Sequence, residues 1–505
     1  MNAPDDSSFR GDLAWLVALA SAVFAMHCFT NHNYGFHRDE LATLDDSRHL
    51  AWGYVAYPPV TPAIGRVALE LFGTSLVGFR FFAALAASLT LILTGLMARE
   101  LGGSRSAQIL AAAASASAPT ALSMGALFQY VAFDCLWWVL ISYLLIRLLK
   151  RDDPRGWLAV GAVIGIGMLT KYTMGFFALA IAIAVLLTPT RRHLRSPWLW
   201  SGVGLSLLIF LPNFLWQAQH DFVSLEFLKF IHARDVANGR TDGFFIQQLY
   251  VCTSFVTPSL WLTGLYFYLR SPAGHSYRLM GWLFLIALGL FAVAQARSYY
   301  LNPAYPMLFA AGAVVWEEKL RRLPPVWRNL GRTLTWSLLL AGLALAAFIT
   351  VPLAPVNSSW WRRAAKLNGD FPEQIGWPDL VAQVAKIYAS QSKQGTNKVG
   401  ILTGNYGEAG AINLYGPALG LPTALSGINS YYARGYGAEP PEVVILVGFS
   451  RKRAERFFAE CEAAGRVTNR FGVLNEETSD EHEIFVCRRP LIPWPELWKR
   501  LRSFG

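Results

Sequence analysis

Residues Trp157–Thr188 read WLAVGAVIGIGMLTKYTMGFFALAIAIAVLLT, an apolar run with one charge, Lys171, near its middle. As a single helix this run would be about 48 Å long at 1.5 Å per residue. It would also carry an ammonium group at the bilayer centre, which is costly. Two short spans, Trp157–Thr170 and Thr173–Thr188, meeting at Lys171 avoid that cost. Loop charges favour the same division. With the N-terminus inside, the inner loops hold Arg99 and Arg105, then Arg147, Lys150, Arg151 and Arg155, then Arg191, Arg192 and Arg195. Further along they hold Arg270 and Arg278, then Lys319, Arg321, Arg322, Arg328 and Arg332. This obeys the positive-inside rule, whereas merging the two helices would carry Arg191, Arg192 and Arg195 outside.

Nine more apolar runs lie on either side: Leu13–Thr30, Phe79–Ala98, Ala107–Ser123, Tyr130–Leu149, Trp198–Trp216, Leu249–Leu269, Leu279–Ala294, Pro303–Val315 and Leu334–Val351. The expectation is a multi-span α-helical membrane protein of about eleven transmembrane helices. Composition agrees: 54% of the 505 residues are hydrophobic and 15% are charged, against about 25% charged in soluble domains. The net charge of +11 is explained by the inner loops, which sets nucleic acid aside as a partner and leaves membrane lipids. Leu13–Thr30 is followed by Asn31-His32-Asn33 rather than a small-residue cleavage site, so it is expected to stay attached as the first span.

Parity places three segments outside: the long first loop Asn31–Gly78, the loop Gln217–Ile246, and everything from about Pro355. The chain thus divides into a transmembrane unit, 1–354, and a small extracytoplasmic α/β domain, 355–505. In that domain Lys398–Thr403, Glu442–Phe449 and Glu483–Arg488 read as strands, and Arg451–Ala464 has helical spacing. Gly404-Asn405-Tyr406-Gly407-Glu408-Ala409-Gly410 lacks both GxGxxG spacing and a Walker lysine, so it reads as a strand-to-helix turn. Cys461 and Cys487 are open to two readings, a disulfide or two free thiols.

His37-Arg38-Asp39-Glu40, just past the first span, sets two carboxylates between cations. Such a pair can deprotonate a hydroxyl or bind a divalent cation; the bland alternative is a solvated turn. By parity Asp134, Lys171 and Arg297, with Tyr299 and Tyr300 beside it, fall on the same face. Charged residues near membrane depth tend to mark a site. Transfer of a sugar from a lipid phosphate needs this mixture: a base for the acceptor hydroxyl, Asp39, and cations for the departing phosphate, Lys171 and Arg297. Tyr57-Pro58-Pro59 reads either as a rigid wall of the site or as a helix breaker.

These residues carry a family likeness. Phe36-His37-Arg38-Asp39-Glu40-Leu41, His49–Tyr54, Pro58-Pro59, Asp134, Pro212–Gln217 and Asn405–Ala411 together resemble the GT-C glycosyltransferases. The nearest likeness is to the dolichyl-phosphate-mannose–protein mannosyltransferase superfamily, in its bacterial family 39 branch, related to the aminoarabinose lipid A transferases. The resemblance implies an inverting transferase with Asp39 as base and Glu40 beside it, and a polyprenyl-phosphate-linked sugar donor at the outer face of a bacterial inner membrane. It implies two interfacial helices in the first loop, at His37–Leu50 and Val60–Leu71. The acceptor is left open among lipid, glycan and protein, and metal dependence varies across the superfamily. Two positions depart from the aminoarabinose transferases: Ala42 stands in place of an Arg, and Tyr57 in place of the Lys before the Pro pair. Phosphate contacts then fall to Arg38, Lys171 and Arg297, with His37, Tyr57, Asp134, Tyr299 and Tyr300 near the substrate.

The main rival is a secondary transporter or lipid flippase, which usually shows inverted repeats and helices broken at the midplane; no repeat is evident here. A membrane-anchored glycan-binding protein would leave Asp134 and Lys171 unexplained. A cysteine placed at Gly239 is expected to react in intact cells with an impermeant thiol reagent. Reaction only after the inner membrane is opened would reverse the orientation.

Overall fold

The computed structural model describes residues 6–393, 398–479 and 482–505. Helix α1 (Asp6–Thr30) leads into the two helices of the first loop, α2 (Arg38–Arg48) and α3 (Val60–Phe72). There follow α4 (Leu76–Glu100), α5 (Arg105–Ala116), α6 (Pro119–Ala126), α7 (Tyr130–Arg151), α8 (Gly156–Met168) and α9 (Met174–Leu187). Next come α10 (Pro197–Gln219), α11 (Val223–Ala237), α12 (Phe244–Tyr250), α13 (Pro258–Arg270), α14 (Arg278–Val293), α15 (Tyr305–Arg321) and α16 (Pro325–Thr350).

Among the described residues, six helices are long and apolar enough to cross a membrane: α1, α4, α7, α10, α14 and α16. The number rises to eight if two bent pairs each form one span: α5 with α6 at 71°, and α9 with the 3-10 turn Pro189–Arg195 at 103°. The structure therefore supports fewer spans than the eleven apolar runs suggested. Several of those runs form helices too short to cross alone: α8 and α13 have 13 residues each, where about 20 are needed. The run Leu249–Leu269 is not one helix either. Helix α12 ends at Tyr250, and Pro258, which has no N–H to continue a helical ladder, opens α13 at its first turn. The break at Lys171 is present, between the end of α8 and the start of α9.

Close helix crossings are made with glycine. A side chain at Gly161 would meet the Gly202 carbonyl at 2.0 Å, so α8 and α10 touch backbone to backbone. Small residues at such contacts drive helix association where lipid removes the hydrophobic incentive.

The C-terminal part holds α17 (Ser359–Leu367), α18 (Trp377–Ser392), β1 (Val399–Thr403), α19 (Tyr406–Tyr415), β2 (Leu425–Ser426) and α20 (Ser430–Arg434). It continues with β3 (Val443–Val447), α21 (Arg451–Glu455), β4 (Phe458–Arg466), α22 (Glu476–Ser479), β5 (Glu483–Pro490) and α23 (Trp494–Leu501). The sheet order is β2-β1-β3-β5-β4. The first three strands are parallel, and β5 runs antiparallel to both β3 and β4. All five residues of β3 are buried, as expected of a strand covered on both faces.

One expectation fails here. Arg451–Ala464 is helical only to Glu455, and Phe458–Arg466 pairs with β5 as an edge strand. Pairing within the sheet overrides the local helical spacing. Cys461 and Cys487, cross-strand neighbours in β4 and β5, are joined by a disulfide, which decides between the two readings. The expected boundary at 354/355 falls in the link between α16 and α17, yet one hydrophobic core runs from Phe36, Leu41 and Phe79 into Trp377, Ile401 and Ala409.

Candidate functional site

Helix α2 begins with a capping box: the His37 side chain accepts from the backbone ahead of it, and Glu40 accepts the His37 N–H at 2.8 Å. This pattern satisfies N–H groups that the first turn leaves orphaned. Glu40 is then gripped by Arg80 of α4, with Nε to Oε1 at 2.8 Å and Nη2 to Oε2 at 2.6 Å, and both side chains are wholly buried. The Phe128 N–H donates to the same carboxylate at 2.7 Å. Arg80 also donates to the carbonyls of Asn31 and Gly35 and to the Gln374 side chain. Glu40, paired with Asp39 on sequence grounds, is thus a framework residue: its oxygens are spent on Arg80, Phe128 and His37.

Asp39, one residue earlier, points the other way. Its side chain is 43% exposed and lines a cavity of about 640 Å³. Tyr406 at the start of α19 donates its hydroxyl to Oδ1 at 2.8 Å, and Gln129 donates to Oδ2 at 3.0 Å. Burial, then the Asp39 charge, hold the Tyr406 hydroxyl well above the ordinary tyrosine range, so it stays protonated as the donor. Helix α19 is itself started by a capping box of Asn405 and Glu408. It lies tight against α2: a side chain at Gly407 would meet Arg38 Cβ at 2.7 Å, and one at Gly410 would meet the Leu41 backbone at 2.7 Å.

The other end of α2 is held similarly. Arg434 of α20 bonds Asp45 and reaches Asp46 at 2.5 Å, Asn413 donates to Asp45 at 2.9 Å, and Tyr57 donates to Asp46 at 2.7 Å. Burial pushes the Asp46 carboxyl up to about 6, with Arg434 and Tyr57 pulling the other way.

The expected cations do gather at this cavity. Arg38, Lys171, Arg297, Tyr57 and Tyr300 all line it. Lys171 sits 4.0 Å from the Tyr300 ring centre, with Tyr130 at 5.3 Å and Tyr299 at 5.6 Å. Its Nζ is 3.7 Å from Asp134, which also accepts from the Trp138 indole. The ring faces and the Asp134 carboxylate both attract a cation at this buried position. Arg297 forms a two-pronged pair with Asp235 of α11, at 2.6 and 2.7 Å. Arg38 is bonded to Glu476 of α22, with Glu373 at 4.0 Å. His37, Asp134 and Tyr299 support these groups without lining the cavity. Among the described residues, no group of three or more His, Cys, Asp or Glu side chains is placed to hold a metal ion.

Sequence reasoning missed Gln129, Asp235 and the cations Lys229, Arg234 and Arg240, which also line the cavity. It missed Tyr406 too, although Asn405–Ala411 had been singled out. Apolar walls are supplied by Phe176, Phe227, Leu228 and Phe291.

This fold matches known proteins. A crystal structure of ArnT from Cupriavidus metallidurans bound to undecaprenyl phosphate superposes with a TM-score of 0.53 at 15% identity, over 94% of this chain and 98% of that one. The same protein in its apo state gives 0.56 over the same shares. At such identity the likeness is one of fold. Residues 56–216 match the family model described as dolichyl-phosphate-mannose-protein mannosyltransferase. The lipopolysaccharide core galacturonosyltransferase RgtB of Rhizobium johnstonii is 26% identical over 41% of this chain and 43% of its own length. An undecaprenyl phosphate-alpha-4-amino-4-deoxy-L-arabinose arabinosyl transferase of Pseudomonas fluorescens is 30% identical over 30% of this chain and 28% of its own. The chain thus spans less than half the length of either relative.

Removing one partner of a buried ion pair costs about 3–5 kcal/mol. Arg80→Ala is therefore expected to lower the melting temperature of the purified protein sharply, whereas Lys229→Ala, at an exposed position, should leave it unchanged; equal melting temperatures would remove Glu40 from the framework.

Proposed function

We propose that this protein is an inverting glycosyltransferase that moves a sugar from a polyprenyl-phosphate donor to an acceptor hydroxyl or phosphate. It would do so at the outer face of a bacterial inner membrane. The observation that carries this reading is the placement of Asp39, partly exposed and fixed by two hydrogen bonds, in one cavity with Lys171 and Arg297. Asp39 takes the proton of the acceptor hydroxyl as its oxygen attacks the anomeric carbon. The bond from that carbon to the phosphate oxygen breaks on the opposite face, which inverts the configuration. Negative charge then grows on the phosphate, where Lys171 and Arg297 stabilise it. Arg297 is braced by Asp235 and Lys171 by its rings, so neither must reorganise during the step. The apolar walls at Phe176, Leu228 and Phe291 suit a polyprenyl chain. The Cys461–Cys487 disulfide supports an oxidising compartment for the C-terminal part. The relatives' names agree with a glycan acceptor of the cell envelope.

Asp39→Asn is expected to lower transfer from a polyprenyl-phosphate sugar by at least ~100-fold with unchanged melting temperature and unchanged undecaprenyl phosphate binding; undiminished turnover would remove Asp39 as base. Tyr406→Phe should lower kcat by about 10- to 100-fold. An undiminished kcat would reduce Tyr406 to a packing role.

A further inference from the structure

The C-terminal part carries a second concavity, of about 330 Å³, lined by Ser450, Lys452, Arg453, Arg456, Phe457 and Arg500. None of these residues lines the catalytic cavity. We propose that this hollow is a separate binding site for an acidic saccharide, gripping its carboxylate or phosphate groups.

The first argument is charge. Four cations surround the hollow and no carboxylate lines it. Acidic residues are present nearby, but they are taken by other cations: Glu455 and Glu483 face Arg451, Glu460 pairs with Arg489 at 2.7 Å, and Glu496 holds Arg500 at 2.5 Å. Among the described residues, Lys452, Arg453 and Arg456 have no ion pair. Like charges gathered around one hollow repel each other, and an anion placed between them relieves that repulsion.

The second argument is preorganisation. The Arg453 guanidinium lies 4.5 Å from the Phe449 ring centre, and Arg500 is tied to Glu496 one turn back on α23. Two of the four cations are thus held before any ligand arrives. Guanidinium groups bind carboxylate and phosphate by paired hydrogen bonds.

The third argument is position. Ser450 follows the carboxyl end of β3, a parallel strand beside β1, and ligands of open α/β sheets bind outside the carboxyl ends of their strands. The neighbouring strand β1 leads into α19, on which α2 packs. The carboxyl end of β3 leads instead to the basic hollow.

The shape favours a saccharide over a membrane surface. Surface-bound elements combine basic residues with an exposed apolar face; among the described residues from Ser450 to Arg466 and from Pro490 to Gly505, Leu491 beside Phe457 is the single large apolar side chain exposed, too little for such a face. A concave site with Phe457 in its lining suits a sugar ring and its acid groups.

The test is calorimetry on the full-length protein in detergent, with tetragalacturonate as the probe and maltotetraose as its neutral counterpart. Wild type should bind the first and not the second, more weakly as salt rises. The double variant Lys452→Gln, Arg456→Gln should bind tetragalacturonate at least about tenfold more weakly, at an unchanged melting temperature. Should that variant prove unstable, each single substitution is measured, and either should weaken binding. Three results would overturn the proposal: no binding of tetragalacturonate by wild type, equal affinity in the variants, or tighter binding of a short-chain phosphatidylglycerol that the same substitutions abolish. The readout is independent of turnover, so the assignment of Asp39 can fail while this site stands.

Discussion

The buried pair of Glu40 and Arg80 is the contact on which the rest of the site depends. Each charge has lost its water, so each requires the other, and the remaining hydrogen bonds of both are filled by backbone and amide groups. Those groups come from places far apart in the chain: the end of α1, the start of α2, the turn before α7 and the segment before α18. The pair therefore registers four segments against α4. Specificity is the best-attested benefit of such a costly arrangement, and here the specified object is the first turn of α2. Once that turn is fixed, neighbouring carboxylates diverge, one into the framework and one into the cavity.

From that turn the cavity is assembled by supports rather than by isolated charges. Asp39 has Tyr406 and Gln129, Lys171 has Asp134 and three rings, and Arg297 has Asp235. Each support orients its partner, and each also reduces the free charge presented to a ligand. Among the described residues, Lys229 and Arg234 on α11 line the same cavity without an ion pair.

The sequence made the local devices legible. A lysine in the middle of an apolar run forces a break because burying it is expensive. Prolines mark where α3 begins, and the alternation of strands with helices marks the C-terminal sheet. What stayed hidden is held by distance. Asp235 lies 62 residues from Arg297, and Tyr406 lies 367 residues from Asp39; no periodicity links such pairs. The burial of Glu40 was hidden because its partner Arg80 lies on a helix that reads as an ordinary span. The segment Phe458–Arg466 was misjudged because its strand state is imposed by β5. Among the described residues, prolines and bends divide several of the eleven apolar runs into helices shorter than a full span.

The hydroxyl that Tyr406 offers Asp39 also bears on timing. A ribosome makes the membrane helices first and β1 and α19 much later. A nascent chain can hold α2, α4 and Lys171 in place while its carboxylate still lacks one of its two donors. The finished geometry waits for β1 and α19 to emerge, fold and dock on α2. A product cut short before α19 would leave Asp39 without the Tyr406 hydroxyl that helps to orient it.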